Sequence, residues 1–316
     1  MVATAPVELL EPDKIRPNPD NPRLIFRSDE LEALEKSISQ QGILVPLTIF
    51  QDGKFYTLLD GERRWRCARK LGLHRVPAII QEKPDRITNI MMMFAIHNAR
   101  NDWDPLPTAL KLEELEKELS KQLDRSPTEA ELAAAASLSR GEVRRYRKIL
   151  RLPDDLKSQL LEELNKPRVE QHLTVDHVIE TISGVNQLVN RGIIRERSKE
   201  RLINSTIEKF KASKLRSTTE PRLFARIARS YERGEIKKEV ILEEIQKFHS
   251  RKDYTIENIF ENTSMVFDFE YSTEQLLYRT IHRLEEILET NAIRSDSLAE
   301  SIGQMEKILR RVKRLL

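Results

Sequence analysis

Residues 55–72, FYTLLDGERRWRCARKLG, pass from a strand pattern into a helix with one glycine between them. Phe55–Leu59 reads as a strand returning from the hairpin turn Asp52-Gly53, with the outgoing strand over Ile43–Phe50. A helix starts just after Gly61 and ends near Gly72, with Trp65, Cys67, Ala68 and Leu71 as its buried side. Upstream, Ser28 is placed to cap a helix whose first turn holds Asp29 and Glu30. Leu31, Leu34 and Ile38 line one face of it, and Gly42 stops it. Further out, Val7–Leu10 and Arg75–Gln81 read as strands, and the prolines of 16–23 impose extended or turned backbone. Residues 7–81 therefore predict a small α/β unit.

The same junction carries the first functional signal. A helix N-terminus presents unpaired N–H groups and partial positive charge, and Gly61 lets a ligand come close to the backbone. Arg63, Arg64 and Arg66 add guanidinium donors, with six Lys/Arg against one Glu over residues 61–75. That pattern describes an anion site, or equally a solvated basic helix face. Cys67 reads as a small core residue rather than a nucleophile.

With 316 residues the chain has room for two to three domains. Lys+Arg 54 against Asp+Glu 51 leaves +3, so net charge favours no partner. A charged fraction of 33% with only nine glycines describes a mostly helical protein. The longest apolar run, Ile90–Ile96, is too short for a bilayer, and MVATAPVELL has no signal-peptide pattern. A single cysteine suits a reducing cytoplasm. No glycine spacing fits GxxxxGK[ST], GxGxxG or GxSxG, and CxxC and HExxH are missing. This argues against P-loop NTPases, Rossmann dehydrogenases, α/β-hydrolases and zincins.

From Ile87 to Leu164 the pattern is helical. Ser126-Pro127-Thr128-Glu129 offers a cap, a proline at the first helical position and a glutamate three residues on. Ser139-Arg140-Gly141-Glu142 is a second capping box. Between them lie a helix, Thr128–Ala136, and the turn Ser137-Leu138-Ser139. Leu132, Ala133 and Ala136 permit close approach of the next helix, which buries Val143, Tyr146, Ile149 and Leu150. Arg140, Arg144, Arg145, Arg147 and Lys148 occupy its other side, with six Lys/Arg against one Glu over 140–151. A recognition helix in a DNA major groove needs this arrangement, and an αα-hairpin with a basic surface would show it too. DNA contacts are expected from Ser139, Arg140, Glu142, Arg144, Arg145, Arg147 and Lys148.

Residues 165–255 are helical, with nine Lys/Arg against three Glu from Arg191 to Arg216. Two amphipathic helices end the chain, separated by Asn291–Ser297. The first is expected to bury Leu277, Ile281, Leu284 and Leu288, and the second Leu298, Ile302, Met305, Leu309, Val312 and Leu316. Such stripes suit a core or a partner interface, with self-association favoured. The basic end, Glu306–Leu316, reads as a solvated face. His97-Asn98-Ala99-Arg100 is a weak signal alone, and the six histidines show no metal-ligand spacing.

In this order the motifs resemble the ParB-type partition proteins. Arg16-Pro17-Asn18-Pro19 with Asn21-Pro22-Arg23, Gly42-Ile43-Leu44-Val45-Pro46-Leu47, Leu59–Arg66 with Val76-Pro77, and Thr128–Leu156 carry the resemblance, which covers about residues 7–160. It implies an α+β protein: a sulfiredoxin-like N-terminal domain over 1–86, then a helical helix–turn–helix domain over 87–165. A further helical region covers 166–255, and a helical pair expected to dimerise covers 256–316. The resemblance implies CTP with magnesium, held by Gly61, Glu62, Arg63, Arg64, Arg66, Asn98 and Arg100, with Asn98 the candidate metal ligand. His97 stands where the family has a glutamate, Val45 where a glutamine is usual, and Thr108 where a further glutamate follows. Because magnesium prefers carboxylate and water oxygens, weak CTP hydrolysis at most is implied. Sulfiredoxin chemistry is not, since its catalytic cysteine corresponds to Glu62.

The resulting expectation is a cytoplasmic homodimer on plasmid or nucleoid DNA, closing as a CTP-responsive clamp. Double-stranded DNA and a Walker-type partition ATPase would be its partners, and it would lie in no membrane. Rival expectations are a ParB-like transcriptional regulator with a degenerate nucleotide site, and a CTP hydrolase or nuclease.

Overall fold

The structure is a computed structural model, described here for residues 6–23, 25–98, 104–290 and 296–314. Five strands form one sheet: β1 (Val7–Leu10), β2 (Ile15–Arg16), β3 (Leu47–Asp52), β4 (Phe55–Asp60) and β5 (Val76–Gln81), in the order β1-β5-β3-β4-β2. β3 and β4 are the expected antiparallel hairpin, β5 runs parallel to β3, and β1 closes the edge antiparallel to β5. Two helices accompany the sheet, α1 (Ser28–Gln41) and α2 (Glu62–Lys70). Ile15, Leu47, Ile49, Leu58, Trp65, Ala68, Val76 and Ala78 form the core of this unit. Trp65 is fixed by its indole N–H, which donates to the Pro12 carbonyl at 2.9 Å.

Two local expectations are corrected. Ser28 is the first residue of α1 rather than its cap. Arg27 occupies the cap position with no side-chain capping bond, because its guanidinium is used elsewhere. The strand expected to begin at Ile43 begins at Leu47. Leu44 and Val45 are exposed, and the carbonyls of Val45 and Pro46 are taken by the Arg64 guanidinium instead of a neighbouring strand.

Helices make up the rest of the described chain: α3 (Arg86–Asn98), α4 (Pro105–Leu123), α5 (Glu129–Ala135), α6 (Arg140–Leu150), α7 (Asp154–Leu164), α8 (Val175–Asn190), α9 (Glu196–Lys211), α10 (Arg222–Glu232), α11 (Lys238–Ser250), α12 (Ile256–Thr263), α13 (Met265–Thr290) and α14 (Asp296–Val312). The fold is α+β. α3 joins its two halves: Met93 packs with Phe50 and Leu59 on the sheet, while Ile90 and Phe94 pack with Leu112, Leu132 and Val143. A second apolar cluster joins Leu106 and Ala109 of α4 to residues from Ile149 to Phe260, including Leu160, Val178, Phe210, Phe224 and Phe248. It crosses the expected division at residue 165.

The terminal helices depart from expectation. Ile281, Leu288, Leu309 and Val312 are exposed, and Leu277 and Leu284 are only half-buried. The physical reason is that α13 has its main contacts with α10 and α12 through its first turns. There Asp268 accepts from Arg226 Nε at 2.9 Å, and the Arg233 guanidinium lies 4.1 Å from the Tyr271 ring centre. On α14, Leu298, Ile302 and Met305 are likewise only half-buried. Leu316 lies outside the described residues.

Candidate nucleotide cleft and nucleic-acid interface

A cleft of about 240 Å³ opens where β4 runs into α2, lined by Asn21, Arg23, Phe26 and Leu34 from one side and by Leu58–Arg64 from the other. Gly61 is in the left-handed conformation, φ 96° and ψ 20°, directly before α2. A β-carbon there would stand 2.6 Å from Leu47 Cδ2 and 3.1 Å from the Arg64 guanidinium, so glycine is required by conformation and by space. The turn leaves the first N–H groups of α2 at the cleft.

The three arginines of the motif divide the work. Arg63 donates through Nη2 to the Glu30 carbonyl at 2.9 Å, while its buried Nε has no hydrogen-bond partner in the protein. An unsatisfied buried donor on a cation beside a helix N-terminus is the arrangement a phosphate oxygen completes. Arg64 donates to Asp60 Oδ2 and to the Pro46 carbonyl, each at 2.9 Å, and so clamps the loop before β3. Arg66 does not line the cleft: it grips Glu62 Oε1 at 2.7 Å and stacks 3.9 Å over the Phe26 ring. Glu62 is buried, with its other oxygen accepting from Asn21 Nδ2 at 2.7 Å.

Sequence reasoning did not single out as site residues several groups that build this cleft. Glu30 accepts from Arg23 Nη2 at 2.6 Å, Arg27 Nη1 at 3.3 Å and Arg168 Nε at 3.0 Å. Burial alone would raise its pKa, but these arginines hold the carboxyl below its ordinary value. Arg27 is itself pinned by Asp104, and that bond raises its pKa against the opposing effect of burial. The available signal was Asn21-Pro22-Arg23, a proline turn aimed at the same junction.

Cys67 is buried and its thiol pKa is raised by that burial and by the Glu35 charge, which suits a core residue. Of the other expected cleft residues, Arg100 lies outside the described residues, as does the side chain of Asn98, together with that of His97. Among the described residues no group of three His, Cys, Asp or Glu is placed to hold a metal ion. Asp60 and Glu62, the carboxylates at the cleft, are both engaged by arginines, so the described side chains do not form a resident magnesium site.

The helix–turn–helix forms as α5 and α6. Thr128, not Ser126, caps α5: its hydroxyl accepts from Glu131 N at 3.2 Å, and Glu131 Oε2 accepts from Thr128 N at 2.8 Å. Glu131 is held to a pKa of about 2 by Arg125 and by these Thr128 bonds. α5 ends with Ser137 in the left-handed conformation, φ 52°, and the Leu138 N–H closing on the Ala133 carbonyl at 2.8 Å. Ser139 and Glu142 form the expected box on α6, so both are spent in part on capping.

On α6, Val143 and Ile149 are fully buried and Tyr146 and Leu150 partly, while Arg140, Arg144, Arg145 and Lys148 are exposed. Arg145 meets Asp176 of α8 at 3.0 Å, and Arg147, half-buried, meets Glu116 of α4 at 2.6 Å. Arg144 lies 3.3 Å from Glu129. These pairs orient the basic face, and at the surface each is weak enough for a phosphate to displace.

The family model described as "ParB N-terminal domain" matches residues 2–97. Stage 0 sporulation protein J of Bacillus subtilis is 27% identical over 228 residues, covering 67% of this chain and 78% of that protein. A probable chromosome-partitioning protein ParB of Coxiella burnetii is 31% identical over 216 residues, covering 66% and 69%. Chromosome-partitioning protein ParB of Caulobacter vibrioides is 34% identical over 161 residues, and the chain spans 49% of its length. Among solved structures, C-terminally truncated ParB from Caulobacter crescentus complexed with CTP-γ-S is 30% identical, covering 50% of this chain and 85% of that one, with TM-score 0.29. The same truncated protein complexed to the centromeric parS site is 26% identical, covering 62% and 98%, with TM-score 0.38. No described helix is long and apolar enough to cross a membrane.

Proposed function

Because this chain belongs to the ParB family of partition proteins, we propose that it is a partition protein that recognises a DNA site through α5–α6 and binds CTP in the cleft at Gly61. The single observation that carries the nucleotide assignment is Arg63. Its buried Nε has no hydrogen-bond partner in the protein, and its side chain lines the same cleft as the left-handed Gly61 turn. A ParB solved with CTP-γ-S is 30% identical over half this chain, which supports the choice of nucleotide.

In this reading Gly61 and the first turn of α2 receive the phosphates, Arg63 and Arg23 neutralise them, and Arg64 holds the wall. Glu62 and Arg66 fix the start of α2 against Asn21 and Phe26. Arg140, Arg144, Arg145 and Lys148 face DNA, with Ser139 and Glu142 capping the first turn of the helix. The exposed apolar sides of α13 and α14 pair with a second copy, giving a dimer able to meet a palindromic site. Closure of that dimer as a clamp, and a Walker-type ATPase as its partner, belong to the same reading.

The test is the melting temperature of the purified protein with CTP, ATP, GTP and UTP, each with and without magnesium. A ligand specific to the folded state adds ~2.7 kcal/mol at 100 times its dissociation constant. Stabilisation by CTP alone is expected. No shift with any nucleotide would overturn the cleft assignment and leave a helix–turn–helix transcriptional regulator on an inert scaffold.

A further inference from the structure

A groove of about 1030 Å³ runs between α9 and the end of α11, apart from both the Gly61 cleft and the face of α6. Arg197, Arg201, Ser205 and Lys209 follow one another at four-residue intervals along α9, so they form a row with ~6 Å between steps. The row ends on a buried cation. Lys209 donates to the carbonyls of Arg251 at 2.7 Å and Lys252 at 2.9 Å, beyond the last turn of α11. This bond fixes the Arg251-Lys252 pair at the groove wall. Across from it, His249 Nδ1 and Ser205 Oγ are 2.8 Å apart, joining the two helices at mid-groove.

Charge in the groove is one-sided. Six Lys/Arg line it against two acids, Glu200 and Glu208; Glu208 is drawn toward Lys211 at 2.9 Å, and Lys214 is paired with Asp253 at 2.5 Å. Arg197, Arg201 and Lys252 are exposed and have no ion pair among the described residues, whereas the α6 arginines 144, 145 and 147 all do. Cations without a close ion pair along an open trough attract a partner with charge repeated along its length. The lining offers no exposed large apolar side chain for a protein partner to bury, since Phe248 is fully covered beneath Lys209.

We propose that this groove is a second DNA surface, in which Arg197, Arg201 and Lys252 hold the phosphate backbone of a duplex without reading its bases. The α9 row is suited to such a contact because phosphate contacts need only positive charge at regular intervals. The surface is separate from α6, so the chain could hold DNA while its recognition helix is disengaged or occupied by another segment.

The experiment uses the full chain carrying R197Q, R201Q and K252Q together, titrated with a random-sequence duplex over a range of salt. Each lost phosphate contact lowers the log–log salt slope by ~0.9, so a fall of ~2–3 with a tenfold or greater loss of affinity is expected. An unchanged slope and affinity in a variant with the parent's melting temperature would overturn the proposal. Should the triple variant fail to fold, Glu200→Lys supplies the opposite arm: it is expected to tighten random-sequence binding, and unchanged binding would overturn the proposal. The triple variant is expected to keep its preference for a cognate duplex over the random one, which separates failure of this groove from failure of the α6 assignment. Polyglutamate competing as well as DNA at equal charge, and losing that competition in the triple variant, would assign the groove to an acidic protein instead.

Discussion

Arg27 and Asp104 meet across 77 residues: Nη2 of the arginine donates to both carboxylate oxygens, at 2.9 and 3.0 Å, and the arginine side chain is only 3% exposed. The pair fastens the entry of α1 to the entry of α4, and thereby the sheet unit to the helical body. Asp104→Ala leaves Glu30 as the remaining acidic partner of a buried cation and is expected to cost ~1–3 kcal/mol. Denaturant unfolding of the full chain measures this, and an unchanged midpoint would refute it.

Gly61→Ala combines a left-handed backbone with a β-carbon 2.6 Å from Leu47 Cδ2. Strain and overpacking together are expected to cost ~2–4 kcal/mol and to remove the CTP response. Thermal melts with and without CTP report both effects.

Arg63 and Arg66 lie on one helix but separate in their consequences. Arg63→Ala should abolish CTP binding by titration calorimetry, with little change in melting temperature. Arg66→Ala, which strips Glu62 and Phe26 of their cation, should lower stability and spare most of the nucleotide affinity. The reverse pattern would reassign the cleft.

On α6 the cap and the reading face also separate. Ser139→Ala should cost ~1 kcal/mol of stability through loss of the cap. Arg144→Ala should weaken binding to the cognate site by ~1–3 kcal/mol if it contacts a base. Its exposed pair with Glu129 predicts almost no change in stability.

His177 gives the chain a mild acid sensitivity. Its Nδ1 accepts from the Thr174 N–H at 3.1 Å and its Nε2 meets Thr218 Oγ1 at 3.1 Å, with the ring stacked on Phe210 at 4.1 Å. Capping of α8 therefore needs the neutral ring, and burial lowers its pKa below 6.5. The unfolded chain binds the proton first, so stability should decline as pH falls through 6.5. Below 4.5 a second decline should follow from Glu163, whose pKa is lowered against burial by Lys166 and by the N–H groups of His172 and Leu173. Urea midpoints between pH 8 and 4 test this, and His177→Gln should flatten the upper part of the curve.

The order of strands and helices was legible because it rests on local chemistry. Asp52-Gly53, Gly61 and the Ser139–Glu142 box each act within four residues, and all three formed as expected. The cap of α5 was misplaced by two residues because Pro127 imitates a first helical position, while Thr128 has the reciprocal glutamate at 131. The strand start at Ile43 failed because Arg64, nineteen residues on, takes the Val45 carbonyl. The linkage of Glu30 to Arg168 was invisible for the same reason, since its partners are 138 residues apart and nothing local joins them. On α13 and α14 periodicity revealed which side is apolar, and Ile281, Leu288, Leu309 and Val312 are exposed in the single chain.

The apolar cluster that reaches from Ile149 to Phe260 makes α6 a part of something much larger than its own motif. Ile149 on α6 shares that cluster with Phe248, 99 positions downstream. The inner amides of α6 should then exchange with deuterium only when the whole body opens, at the rate of its slowest helices rather than of a fraying hairpin. In the proposed reading DNA meets a rigid blade, and its bending, not the protein's, absorbs any misfit.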